Sequence, residues 1–275
     1  MSSLFQTLEA QELTELEKPV FDVLKASLYY PTTDNVLANR LADDIVFFCQ
    51  SAEVEDEYEA ILTAVWRLSF NMICCIPSDH PWQDSWVNAI KELKGRGTLP
   101  ARNSDEYDLS WQELPCFLIE LDAHMDRVLE QDTEYQNLNS FAARLYATDV
   151  LRENKFPIPR LRDALEKPVD KSPNYLLWVA SEWLTRCADH IHHLMAESGD
   201  SPEKSGWWNL GEAFANRDSV TPFSIRRWNL WKERISEERT KLLSSSSNSE
   251  TGAPALAKRL ERALQKMGEA EQTAK

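Results

Sequence analysis

The segment Asn137–Glu166, NLNSFAARLYATDVLRENKFPIPRLRDALE, limits what the rest of the chain can be. At roughly 100° per residue, a helix here places Leu138, Phe141, Ala142 and Leu145 on one broad apolar face. Ala143, Tyr146 and Val150 widen that face on one side, and Leu151 lies on the far side. Only a thin polar sector near Ser140 and Arg144 remains. A helix that is apolar nearly all round belongs in an interior, so other helices must surround it. It also carries Asn139, Arg144, Asp149 and Arg152, each of which needs a partner if buried. A short proline-bearing turn and a second helix ending near Glu166 complete the segment.

The rest of the chain supplies covering helices. Apolar residues recur every three or four positions, as in Leu37, Leu41, Ile45 and Phe48, or Trp183, Leu184, Cys187 and Ile191. No strand-like alternation of any length interrupts them. The seven glycines are few for a turn-rich β architecture. Helix starts are marked by Pro115, by Ser172-Pro173 and by Thr221-Pro222. The expected fold class is all-α: a single domain of about nine or ten helices over residues 1–243. The low-complexity run 244–254, SSSSNSETGAP, reads as a flexible linker, and 255–275 as a C-terminal amphipathic helix. The polar loop at 95–108 is the best place for an interior division.

The formal net charge of −15 disfavours nucleic acid and anionic lipid as partners. Residues 1–60 hold thirteen acids against Lys18, Lys25 and Arg40, while Arg217 to Lys266 is net basic. Cys49, Cys74, Cys75, Cys116 and Cys187 are odd in number and sit on apolar faces. That pattern suits reduced thiols in a cytoplasmic protein better than a disulfide framework. No apolar run reaches the roughly 18–20 residues a membrane span requires, and the acidic first thirty residues do not read as a signal peptide.

Five groups of residues carry some chemical interest. Asp189, His190 and His193 could contribute to a metal site, but two or three ligands on one helix end are few, and no metal or cofactor is expected. Glu120, Asp122, Asp126 and His124 alternate with an apolar stripe as a surface face does. Asp149 falls near the centre of the Leu138/Leu145 face, where it would be a buried ion pair or an acid in an interior pocket. Arg162 and Glu166, one turn apart, read as a helix-surface pair. Trp178 points away from the Trp183 face and needs a cover, for which Trp207-Trp208 is the nearest candidate, or else it lines a pocket. There is no glycine-rich phosphate loop, nucleophile elbow or Cys–His signature, so catalytic residues are unassigned and enzymatic activity is left open.

Asn137-Leu138-Asn139, Phe141, Ala143-Arg144-Leu145 and Leu161-Arg162-Asp163-Ala164-Leu165-Glu166 resemble a fungal family of uncharacterised helical proteins, domain-of-unknown-function family 3632. The Trp178 helix and the stretch from Phe223 through Trp228 and Trp231 to Arg234 fit as well. The resemblance spans about Trp82 to Ile235. It implies an intracellular α-helical protein and supplies no activity. Two expectations of function follow. The first is a non-catalytic interaction or regulatory protein that binds a protein partner through its helical surface or last helix. The alternative is a metal-independent small-molecule enzyme or ligand-binding protein with an aromatic-lined pocket between helices. Its candidate ligand-binding residues are Asn139, Arg144, Asp149 and Trp178.

Overall fold

The computed structural model describes residues 4–50, 55–97, 110–128, 132–168, 173–197, 206–215, 217, 220–245 and 252–273. Every regular element among these is a helix, and there are eleven. They fall into two compact units, Met1–Phe141 and Ala142–Lys275, so the division lies inside a helix and not in the polar loop at 95–108. Most of that loop, like most of the Ser-rich run 244–254, lies outside the described residues. No helix among the described residues is long and apolar enough to cross a membrane.

Unit 1 contains α1 (Gln6–Glu9), α2 (Glu17–Tyr29), α3 (Asp34–Cys49), α4 (Glu55–Cys75), α5 (Trp82–Lys94), α6 (Phe117–Arg127) and the first ten residues of α7 (Asp132–Ala147). Thr14 and Glu17 form a capping box at the start of α2: the Thr14 N–H and hydroxyl both donate to Glu17, and the Glu17 N–H donates back to Thr14. Arg67 of α4 then donates to the same Glu17 carboxylate at 2.5 Å, tying the cap to the core. Pro115 lies before α6 instead of opening it. Leu114 and Cys116 on either side have positive φ (45° and 62°), and the Pro115 carbonyl accepts from the buried Trp66 indole at 2.8 Å. Leu138 to Phe141 are buried, as the all-round apolar pattern requires.

His124 departs from the surface role expected of its helix. It is 3 % exposed, with its imidazole against Phe70 and near Asn71 and the Glu120 carbonyl. Burial, with Arg127 adding repulsion, lowers its pKa to about 4.

Unit 2 begins with the end of α7 and continues through α8 (Pro157–Leu165), α9 (Asn174–Glu197), α10 (Ile225–Ser245) and α11 (Ala253–Thr273). Leu145, Tyr146, Leu161, Trp183, Trp228 and Trp231 form its core. α9 bends at Cys187, whose φ of −126° leaves the helical range and whose thiol donates to the Ala143 carbonyl at 3.2 Å. Ser172 lies outside the described residues, with Pro173 immediately before α9. The Thr221-Pro222 signal sits three residues too early: Ser224 caps α10, its hydroxyl accepting from the Arg227 N–H at 3.2 Å. α11 packs on α9 and α10 and buries Leu256, Leu260, Ala263 and Met267 there. Polar pins hold it too, since Glu271 accepts from the Trp228 indole at 2.8 Å and from Lys232 at 2.7 Å.

Candidate functional site: a cleft at the end of α7

α7 stops at Ala147, two residues before the position on which the sequence reading placed most weight. The wheel that put Asp149 at the centre of an apolar face carries the helix too far. The Val150 N–H donates to the Leu145 carbonyl at 3.0 Å and the Asp149 N–H to Tyr146 at 3.2 Å, closing the helix in a Schellman-like turn. Asp149 takes the left-handed position of that turn, at φ 58°. Glycine is the usual occupant because any Cβ there is crowded; aspartate tolerates it at a small cost. The Asp149 side chain is 63 % exposed, so the expected buried ion pair does not form. Its carboxylate stands 3.6 Å from His190 Nε2 of α9 instead.

Both groups line a cleft of about 250 Å³, together with Tyr146, Leu151, Arg152, Asn154, His193 and Leu194. The Tyr146 hydroxyl donates to Asn154 Oδ1 at 2.5 Å, and its ring meets His190 and Trp183 edge-on. Burial, together with the neighbouring acidic groups Cys187, Asp149 and Glu153, raises the Tyr146 pKa to about 12, so the phenol stays protonated as a donor. Arg152 Nε donates to the Asp149 main-chain carbonyl at 3.3 Å. The histidines of α9 divide: His190 and His193 face the cleft, while His192 is buried with its ring against Trp228. Among the described residues no group of three His, Cys, Asp or Glu side chains is placed to hold a metal ion.

The other candidates lie elsewhere. Asn139 is fully buried in unit 1, where its amide donates to the Tyr135 carbonyl one turn back. Arg144 reaches Glu182 at 3.7 Å; Glu182 also accepts from Arg186 at 2.5 Å and from Arg259 of α11. The Arg259 guanidinium sits over the Trp178 ring, 4.0 Å from its centroid, so α11 supplies a cover for Trp178. Trp207 and Trp208 meet each other edge-on, with Phe223 beside them. Arg144 and Trp178 thus belong to one polar chain through Glu182 and Arg259, and Asp149 belongs to the cleft.

Glu166 is the residue that sequence reasoning placed worst. It is fully buried, and its partner is not Arg162, which pairs with Asp163 at 3.0 Å. Glu166 Oε1 accepts from Arg227 Nε at 2.6 Å and from the Trp231 indole at 2.8 Å, and Oε2 accepts from the Gly211 N–H at 2.6 Å. Arg227 also donates to the carbonyls of Trp208, Asn209 and Pro222. Burial lowers the Arg227 pKa and Glu166 opposes that shift. Three bonds to Glu166 and four of the five Arg227 N–H groups are accounted for, which marks this pair as architecture. No local pattern announces it, because its members stand 61 residues apart.

The cleft and the sealed pair both fall inside residues 66–235, which match the family described as Protein of unknown function (DUF3632). The chain belongs to that family. The matched stretch covers more than half of the chain and ends before α11, so Arg259 and Glu271 lie beyond it. No curated protein and no solved structure matches the chain.

Proposed function

We propose that this member of the family is a ligand-binding protein that takes a small polar molecule in the cleft between the end of α7 and the second half of α9. One observation carries the reading. Asp149 sits in a left-handed position that glycine would fill without strain, and its carboxylate lies 3.6 Å from His190 on the wall of an open cleft. A strained non-glycine residue whose side chain looks into a cavity is the mark of a position kept for function at the expense of stability. The expectation of a cavity with convergent polar groups beside the α7 segment is the one this geometry supports, with Tyr146 as its aromatic wall.

The test separates binding from folding. Native mass spectrometry of protein purified from its own source should retain a small ligand, and Asp149→Gly should lose it while melting, with both proteins first freed of ligand, no lower than the parent. Loss of ligand together with a lowered melting temperature would mean that Asp149 serves the fold, and the reading would fail.

A second reading, a regulatory protein with a protein partner, draws on unit 1. Val36 and Phe47 on α3 are 53 % and 65 % exposed, within an N-terminal stretch rich in acids. Such a face suits a partner helix that is apolar and basic. Phe47→Asp should abolish capture of that partner if the reading holds. The last helix is a poorer candidate, because its apolar stripe is already buried on α9 and α10. A reducing cytoplasmic setting fits the five free cysteines, a protein without nucleic-acid ligands fits the charge of −15, and a fungal source rests on the sequence resemblance alone.

A further inference from the structure

The cleft also indicates what kind of molecule it would take, and this step rests on the ligand-binding reading above. Its volume of about 250 Å³ lies below the roughly 300–1,000 Å³ of drug-sized sites, which selects a small occupant. Two opposite charges, Asp149 and Arg152, stand three residues apart on its rim. Here the Arg152 Nε is tied to the Asp149 main-chain carbonyl, and the Asp149 carboxylate turns to His190. The two charged groups thus have different partners within one small cleft. Asn154 adds a directed donor, because the Tyr146 hydroxyl occupies its carbonyl end and leaves the amide end for a ligand. Leu151, Leu194 and the Tyr146 ring supply apolar lining.

We infer that the cleft binds a small zwitterion, an α-amino acid with an apolar side chain. Its ammonium group pairs with Asp149 beside His190, its carboxylate is met by Arg152 and the Asn154 amide, and its side chain lies on Leu151 and Leu194. A cation alone would leave Arg152 unanswered, and an anion alone would face the Asp149 carboxylate. Only a molecule carrying both charges satisfies both ends.

Titration calorimetry on the full chain, freed of retained ligand, tests this with three probes: L-leucine, 4-methylpentanoate, which lacks the amine, and 3-methylbutylamine, which lacks the carboxylate. L-leucine should bind, and each half-probe should bind about ten- to a hundredfold more weakly, the loss expected for one charge-assisted hydrogen-bonded contact. Asp149→Asn should weaken L-leucine by a similar factor and leave 4-methylpentanoate unchanged or tighter; Arg152→Gln should weaken L-leucine and spare the amine. Circular dichroism and melting of both variants control for folding. Either half-probe binding as tightly as L-leucine overturns the inference, and so does a panel of all twenty amino acids that yields no heat. If the cleft instead retains a non-zwitterion whose binding needs Asp149, the inference falls and the ligand-binding reading stands. If native mass spectrometry finds nothing retained and no amino acid binds, both fall.

Discussion

Unit 2 holds two carboxylates only seventeen residues apart, Asp149 and Glu166, and they have been treated in opposite ways. Glu166 is sealed at 0 % exposure, with both oxygens occupied by Arg227, Trp231 and Gly211. Asp149 is mostly exposed, sits on a strained backbone and faces a cleft through one long contact to His190. A saturated buried charge has nothing left to offer a ligand and much to offer the fold. An under-used charge on strained backbone offers the fold little. Satisfaction, more than burial or charge, separates architecture from a candidate site in this molecule.

The largest test of that contrast is Arg227→Met, which strands Glu166 in the core. Urea unfolding should show a loss of about 3–5 kcal/mol, the usual cost of leaving a buried charge without its partner. The double variant Glu166→Leu/Arg227→Met should recover part of the loss; full additivity of the two single changes would break the claim that they act as a unit.

Unit 1 extends the rule to a titratable group. His124 has an ordinary pKa near 6.5 when unfolded and about 4 when folded, so the unfolded chain takes up its proton first on acidification. Stability is unaffected above about pH 6.5 and falls by about 3 kcal/mol as the pH drops from there toward 4. His124→Gln should flatten that part of the stability profile; a profile left as steep would show that another group drives it.

Gly211→Ala should come next. A Cβ there would meet Glu166 Cβ at 2.6 Å and the Glu166 carbonyl oxygen at 2.9 Å, and overpacking of this kind costs about 1–3 kcal/mol. An unchanged melting temperature would mean that the segment shifts freely and that the seal is looser than its distances indicate. Smallest is Asp149→Gly, which should leave stability unchanged or raise it by about 1 kcal/mol as the left-handed strain is relieved. A clear loss of stability would erase the contrast with Glu166.

Much of the architecture was legible in the sequence. The all-round apolar run from Leu138 to Tyr146 required an interior helix, and helical spacing without strand alternation required an all-α fold. The end of α7 was not legible: no glycine or proline marks Ala147, so the helical pattern continued through Asp149 and gave it a false interior position. Glu166 and Arg162 looked paired because they stand one turn apart, whereas the true partner is 61 residues on and only the folded chain brings it near. His124 and Trp178 share that cause. Each is settled by a neighbour from another element, Phe70 for the first and Arg259 for the second. The expected pocket joined Asp149 to Asn139, Arg144 and Trp178; the cleft holds only Asp149 of these four, and His190, His193, Asn154 and Arg152 were not assigned to it. They converge only because α9 and the turn after α7 meet in space.

The knot around Glu166 also has a bearing on how such a sequence can drift. Its carboxylate, the bare Cα at 211, the guanidinium of Arg227 and the indole of Trp231 each make sense only when the other three are present. A change at any one of them meets a penalty that matching changes at the others would have to lift. Glutamate, glycine 45 positions on, arginine 61 on and tryptophan 65 on would then serve as a sparse signature for recognising distant kin when the intervening text no longer aligns.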